Sequence, residues 1–321
     1  MEQHDIDEAA RWLAALGPET DPNDWPVRNL VLYQLNDPAL WASICLTAQM
    51  RNAADPVVRI WLRLEEVNGL RQTHSCPVGV VQAKLGFTKE LIKKLDEDHP
   101  RRTRLLGLWA HYVAMVHHAV GEFETAAKCF QEEAELNIAR HFDRYAACFM
   151  WRLEEVFAMG ARRDWRVTTN DAESAGMDIL YCREPGIQEM MSGYLWWRAY
   201  AFSHLFLISF LTNRAIQAGT AANWIGSLEA LPPTLEPEFV SALLVVKAIA
   251  RFQAGDYAGA VELASDPKVK IQADWHEYAL MVQLSALNRL AGHEEKIAAV
   301  LAEINGLSHG GYVAKGWVNA D

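Results

Sequence analysis

The chain has 321 residues, 51% of them hydrophobic, and a formal net charge of −11 at pH 7. That length and apolar content suffice for a large buried core, in one elongated domain or two compact ones, while the acidic balance disfavours nonspecific attraction to nucleic acid or anionic membrane. Five cysteines (Cys45, Cys76, Cys129, Cys148 and Cys182), odd in number and never spaced CxxC, encode neither a local disulfide framework nor a zinc site; reduced thiols in a cytoplasmic protein are expected.

The amino terminus, MEQHDIDEAARWLAAL, starts acidic and amphipathic. It lacks the basic start and apolar centre of a secretory signal, so export is not expected. A helix over 56–70 follows, and its RLEEV at 63–67 returns at 152–156 as ordinary amphipathic-helix chemistry. Residues 71–104 carry eight Lys or Arg against four Asp or Glu, a local reversal of the overall charge. Within them 77–95, PVGVVQAKLGFTKELIKKL, reads as two short helical stretches around Leu85-Gly86-Phe87-Thr88. This segment resembles the helix-turn-helix of DNA-binding regulators. The resemblance implies that Val81 and Leu85 face the core from the first helix and that Gly86 makes the turn. Ile92 and Leu95 would anchor the second helix, leaving Lys89, Lys93 and Lys94 for phosphates. Glu90, Asp96, Glu97 and Asp98 place carboxylates beside that surface.

From residue 105 onward the pattern changes to helices punctuated by glycine. In 109–136, WAHYVAMVHHAVGEFETAAKCFQEEAEL, Gly121 is followed by Phe123, Ala126 and Phe130; in 251–264, RFQAGDYAGAVELA, Gly255 is followed by Tyr257, Ala260 and Ala264. The glycine supplies a left-handed cap that a Cβ would penalise, and the alanine lets two antiparallel helices approach closely. The spacing resembles the tetratricopeptide repeat, with Ala264 standing where that family has a larger residue. The resemblance implies an all-α fold of antiparallel hairpins stacked as a solenoid.

Three more hairpins fit the same plan. The helix at 150–160 ends at Gly160, 194–211 and 215–231 pair around Thr212-Asn213 before Pro232 and Pro233, and 279–304 turns at Ala291-Gly292. The expected division is therefore a helical amino-terminal region, 1–104, and a repeat domain, 105–321, with strands nearly absent. The stretch at 194–211, YLWWRAYAFSHLFLISFL, approaches membrane-span length, but Arg198 and His204 interrupt it. It reads as a doubly covered central helix, and no membrane partner is expected. Trp196, Trp197 and Tyr200 on it read as core filling in preference to an aromatic cage around a cation. The glycine-rich 308–316 reads as a tail that leaves the last helix and covers an exposed end.

The chain contains no HExxH, ExxH, GxSxG, GxxxxGK[ST] or GxGxxG, and no catalytic residue, cofactor or metal is assigned. His111 and His118 share a helix face but stand about 10 Å apart along the axis, too far to hold one metal unless another helix contributes, through His141 or Glu154 for example. In the repeats resembled, residues ten, six and three places before the turn glycine line the concave side. Those places hold His111, Met115 and His118 before Gly121, and Met150, Glu154 and Phe157 before Gly160. Before Gly255 they hold Val245, Ile249 and Phe252. The lining lacks the Lys, Arg and Asn that clamp acidic chaperone tails and suits an apolar helix, a peptide or a small apolar ligand. The expected function is a non-catalytic scaffold or sensor. The alternatives are a transcriptional regulator that contacts DNA through 77–104, and an all-helical enzyme with a histidine-lined pocket.

Overall fold

The structure is a computed structural model that describes residues 3–17, 26–35, 37–51, 55–73, 76–137, 141–161, 169–182, 191–233, 235–271, 273–307 and 313–315. Every regular element among them is helical. In chain order these are α1 (Gln3–Ala14), α2 (Pro26–Asn29) running into a π-helical turn (Leu30–Gln34), α3 (Pro38–Met50), α4 (Pro56–Gln72), α5 (Val78–Lys93), α6 (Arg102–Ala119), α7 (Phe123–Leu136) and α8 (His141–Ala161). Then come α9 (Thr169–Leu180), α10 (Met191–Leu211), α11 (Ala218–Glu229), α12 (Glu236–Gln253), α13 (Tyr257–Ala264), a 3-10 turn (Pro267–Ile271), α14 (Ala273–Leu287) and α15 (Glu294–Gly306).

The chain forms two compact units. One comprises Met1–His117 with Lys128–Ala147, and the other His118–Ala127 with Cys148–Asp321. The division passes through α6, α7 and α8, beyond residue 104.

In the first unit, two Asp-Pro pairs start helices in the same way. Asp37 accepts from the Leu40 N–H at 2.9 Å ahead of Pro38, and Asp55 accepts from Val57 and Val58 at 2.7 and 3.1 Å ahead of Pro56. Each satisfies orphan amides of the first turn while proline presets the helical φ. Helices α3 and α4 then cross closely at Gly69, where an added Cβ would lie 2.6 Å from the Pro38 carbonyl oxygen and 2.9 Å from the Ala42 nitrogen. Helix α4 packs in turn on α5. Trp41, Ile44 and Leu62 belong to one apolar cluster; Trp61, Leu64, Val81, Leu85, Ile92, Leu105 and Tyr112 belong to another.

Helix α5 corrects one expectation. Val78–Lys93 is a single helix, so Leu85-Gly86-Phe87-Thr88 is not a turn. Val81, Leu85, Thr88 and Ile92 form one buried stripe across the glycine, and helical continuity is what keeps that stripe on α4's side. A mid-helix glycine costs only about 1 kcal/mol, less than breaking such a stripe.

In the second unit, α10 is buried from Ala201 to Leu211 and packs on α9, α11 and α12. Helix α12 packs on α13 and α14, and α14 on α15. The hairpin turns are closed by left-handed residues at three of the expected glycines: Gly121 (φ 78°), Gly255 (φ 81°) and Gly292 (φ 76°). At Gly255 the Asp256 N–H donates back to the Arg251 carbonyl at 3.0 Å, while the Asp256 side chain accepts from the Gly259 N–H at 2.9 Å and starts α13. Asn213 (φ 51°) does the same after α10, with the Arg214 N–H donating to the Ser209 carbonyl at 2.9 Å. These reversals satisfy the last carbonyls of each first helix. The helix expected to end at Gly160 ends one residue on, at Ala161, and residues 162–168 lie outside the described residues. Ala126 and Ala260 are fully buried, as close packing at those places requires.

Candidate functional site

His111 and His118 each meet a carboxylate. In the first unit, His111 Nδ1 of α6 lies 3.1 Å from Glu133 Oε2 of α7, with the imidazole edge-on to Tyr112 and Phe130. In the second, His118 Nδ1 lies 2.8 Å from Glu154 Oε1, and its ring packs against Phe123 and Phe157 at centroid distances of 5.5 Å. His111, Met115 and His118 are half-buried, whereas Met150, Glu154 and Phe157 are buried at 4%, 1% and 2% exposure. Phe157 also stacks on Tyr278 of α14 at 6.2 Å. Glu154 is thus a desolvated carboxylate held by an imidazole that reaches toward solvent. Such a pair fixes the orientation of the imidazole ring.

Of the three lysines proposed for phosphates, Lys89 lies over the Trp109 ring at 3.8 Å, Lys93 pairs with Glu90 at 2.7 Å, and Lys94 is exposed at the end of α5. The Lys93 ammonium holds the exposed Glu90 carboxyl below its ordinary range. The helix-turn-helix geometry that was to present these lysines is absent from α5.

The first unit holds a buried polar network that the sequence analysis did not anticipate. Adjacent carboxylates Glu65 and Glu66 of α4 are 1% and 4% exposed. Glu65 accepts from Tyr112 Oη at 2.7 Å, Arg28 Nε at 3.0 Å and Trp41 Nε1 at 3.3 Å. Glu66 accepts from Lys84 Nζ at 2.7 Å and Gln49 Nε2 at 2.9 Å. Burial, reinforced by these carboxylates, pushes the Cys45 thiol and the Tyr112 phenol well above their ordinary values. Cys45 is therefore a packing residue and a poor nucleophile at neutral pH. Beside Glu66, α4 and α5 flank an open groove of about 470 Å³ lined by Arg63, Val80, Ala83, Lys84 and Phe87 among others. Its one advance signal was a second apolar stripe on α5, Val80, Ala83 and Phe87 at i, i+3 and i+7, alongside the stripe that the core consumes.

On α10, Trp196 stacks on Tyr200 at 5.2 Å and meets Phe239 at 5.9 Å, with Trp197 edge-on to both Trp196 and Tyr200. The His204 ring continues the stack 3.9 Å from Tyr200. The tail is described only at 313–315, where the Ala314 N–H donates to buried Glu277 at 2.8 Å; the rest of 308–316 lies outside the described residues. Among the described residues no group of three or more His, Cys, Asp or Glu is placed to hold a metal, and no helix is long and apolar enough to cross a membrane.

Among the described residues the structure is all-helical, with paired imidazole–carboxylate positions and an open groove between α4 and α5. No protein-family model matches the chain, and neither does any curated protein or solved structure.

Proposed function

We propose that the chain is a non-catalytic binding scaffold or sensor built from tetratricopeptide-like stacked hairpins, recognising a segment of another protein in the cytoplasm. The observation that supports this reading is the repeated turn device. Gly121 and Gly255 take the left-handed conformation between helices, and each is followed five residues later by a fully buried alanine. Hairpins closed in this way present one helix face repeatedly, and repetition of a face is how helical repeats recognise extended or helical peptides. In the first unit His111 and Met115 would contribute polar direction and apolar contact. In the second, His118 would do so, its ring fixed by Glu154 and backed by buried Phe157.

The test is affinity capture with the full chain and with a His111→Gln, Met115→Ala variant whose melting temperature matches the parent, the eluates being analysed for proteins, nucleic acid and small molecules. A protein retained by the parent and lost by the variant is the expected result. Loss of a small molecule only, or retention of every partner by the variant, sinks the reading.

A further inference from the structure

The groove between α4 and α5 belongs to helices without the hairpin signature, so what it binds is independent of the function proposed above. Val80 and Phe87 on α5 are 43% and 55% exposed. They stand seven residues apart, two helical turns or about 10 Å. Between them Ala83 is exposed, and beside Val80 a Cβ added at Gly79 would meet nothing within 4 Å. Two bulky apolar residues flanking small ones make a hollow of the kind that receives a side chain from a facing helix.

Charge narrows the occupant. Arg63 of α4 lies over the Phe87 ring at 5.0 Å, and its buried Nε has no hydrogen-bond partner among the described residues. Lys84 forms another wall, and Glu66 is the one carboxylate lining the groove. Glu66 is already committed to Lys84 and Gln49, so it offers little to a visiting cation. By helical register Lys94 extends the Val80–Phe87 stripe, and Glu90, seven residues after Ala83, stands on the same face but is already paired with Lys93 at 2.7 Å. A guanidinium that is partly desolvated and lacks an acceptor gains most from a carboxylate arriving with its own apolar cover.

We propose that this groove docks an amphipathic, acidic helix of a partner protein, with an apolar side chain seated over Gly79 and Ala83 against Val80 and Phe87 and a carboxylate on Arg63. The chain's net charge of −11 would repel such a partner elsewhere, so the basic segment 71–104 supplies the local attraction.

The test uses the full chain and a fluorescein-labelled synthetic peptide of about 15 residues, helical and amphipathic, with leucines at i, i+3, i+4 and i+7 and flanking glutamates. A lysine-for-glutamate version and a scrambled version serve as controls, and binding is read by fluorescence anisotropy. The acidic helix should bind, with affinity falling as salt rises, and the lysine version should bind at least about tenfold more weakly. Ala83→Glu and Phe87→Ala should each weaken binding by about tenfold or more. Because Gly79 has open space at its Cβ, Gly79→Leu should block the groove without unfolding the chain, and it decides the matter if Ala83→Glu lowers the melting temperature. Met115→Ala should leave this affinity unchanged, which separates failure here from failure of the hairpin reading. Three results would overturn the proposal: no binding of the acidic helix, equal binding of the lysine version, or indifference to both Gly79→Leu and Phe87→Ala. A self-associated chain that Ala83→Glu dissociates in sedimentation would overturn it in favour of a second copy as occupant.

Discussion

The two units fix helices against one another by different means. In the first, neighbouring helices are joined through buried polar groups: Glu65 of α4 takes hydrogen bonds from Arg28, Trp41 and Tyr112, and Glu66 from Gln49 of α3 and Lys84 of α5. In the second, α10 is buried along eleven consecutive residues from Ala201 to Leu211, and helix direction is reversed by left-handed Gly255, Gly292 and Asn213. A buried carboxylate network specifies partners through directed hydrogen bonds but is costly to break. Local turn chemistry with small residues at the crossings specifies direction through sterics and is cheap to perturb at any single place. The same secondary structure thus has two sources of geometric precision, and substitutions should tell them apart.

The largest effect should come from breaking the network. Glu65→Ala removes the carboxylate shared by Arg28, Trp41 and Tyr112 and should cost about 3–5 kcal/mol in chemical denaturation. Phe157→Ala in the other unit should cost a similar amount, about 3–5 kcal/mol, for a different reason: it leaves a cavity among His118, Phe123 and Tyr278. A benign Glu65→Ala would remove the polar side of the comparison. Next come the crossings. Gly69→Ala, which drives a Cβ against the backbone of α3, and Ala260→Leu at the start of α13 should each cost about 1–3 kcal/mol, read as a fall in melting temperature.

Glycine substitutions sharpen the contrast further, because the same change should have opposite signs in the two units. Gly255→Ala forces a Cβ into the left-handed region and should destabilise by about 1–2 kcal/mol. Gly86→Ala sits in an unbroken helix with open space at its Cβ and should stabilise by about 0.5–1 kcal/mol. If both destabilised, the continuity of α5 would be in question. The smallest effect concerns pH. Burial lowers the pKa of His276 even though Glu303 lies 3.1 Å away, because Lys270 sits on the same carboxylate at 2.6 Å and blunts its pull. With the folded value below the unfolded one, His276 contributes stability above its unfolded pKa of about 6.5, and loses it as pH falls through the folded value. His276→Gln should therefore flatten the decline in stability between pH 7 and 5. Glu303, whose carboxyl is lowered chiefly by the Lys270 hydrogen bond, adds a separate loss at more acid pH, as it is protonated.

Much of the second unit was legible residue by residue, because its devices are local. The glycines at 121, 255 and 292 and the Thr212-Asn213 reversal are conformational requirements of two or three adjacent residues, and alanines five places after Gly121 and Gly255 follow from the same turn. The helix-turn-helix resemblance failed at Gly86 because glycine permits a helix end without demanding it, and the stripe of Val81, Leu85, Thr88 and Ile92 outweighs one poor helix former. His118 meets Glu154, whereas Glu133, the partner of His111, had no signal in the helical spacing, and that spacing could not say that Met150, Glu154 and Phe157 would be buried while Met115 stays half-exposed.

What the sequence by itself determined is helix placement and turn direction, since amphipathic periodicity, Asp-Pro starts and left-handed glycines act within a few residues of the chain. Which polar residues are buried, and which apolar stripe is left uncovered, was decided only by tertiary structure. Nothing in an amphipathic RLEEV marks Glu65 and Glu66 as buried, or Gly69 as a close crossing, until neighbouring helices close on them. Val80 and Phe87 stand beside the stripe of Val81, Leu85 and Ile92, and only the packing of that stripe leaves them uncovered. Burial is a property of the neighbours that a face acquires, and those neighbours come from remote parts of the chain.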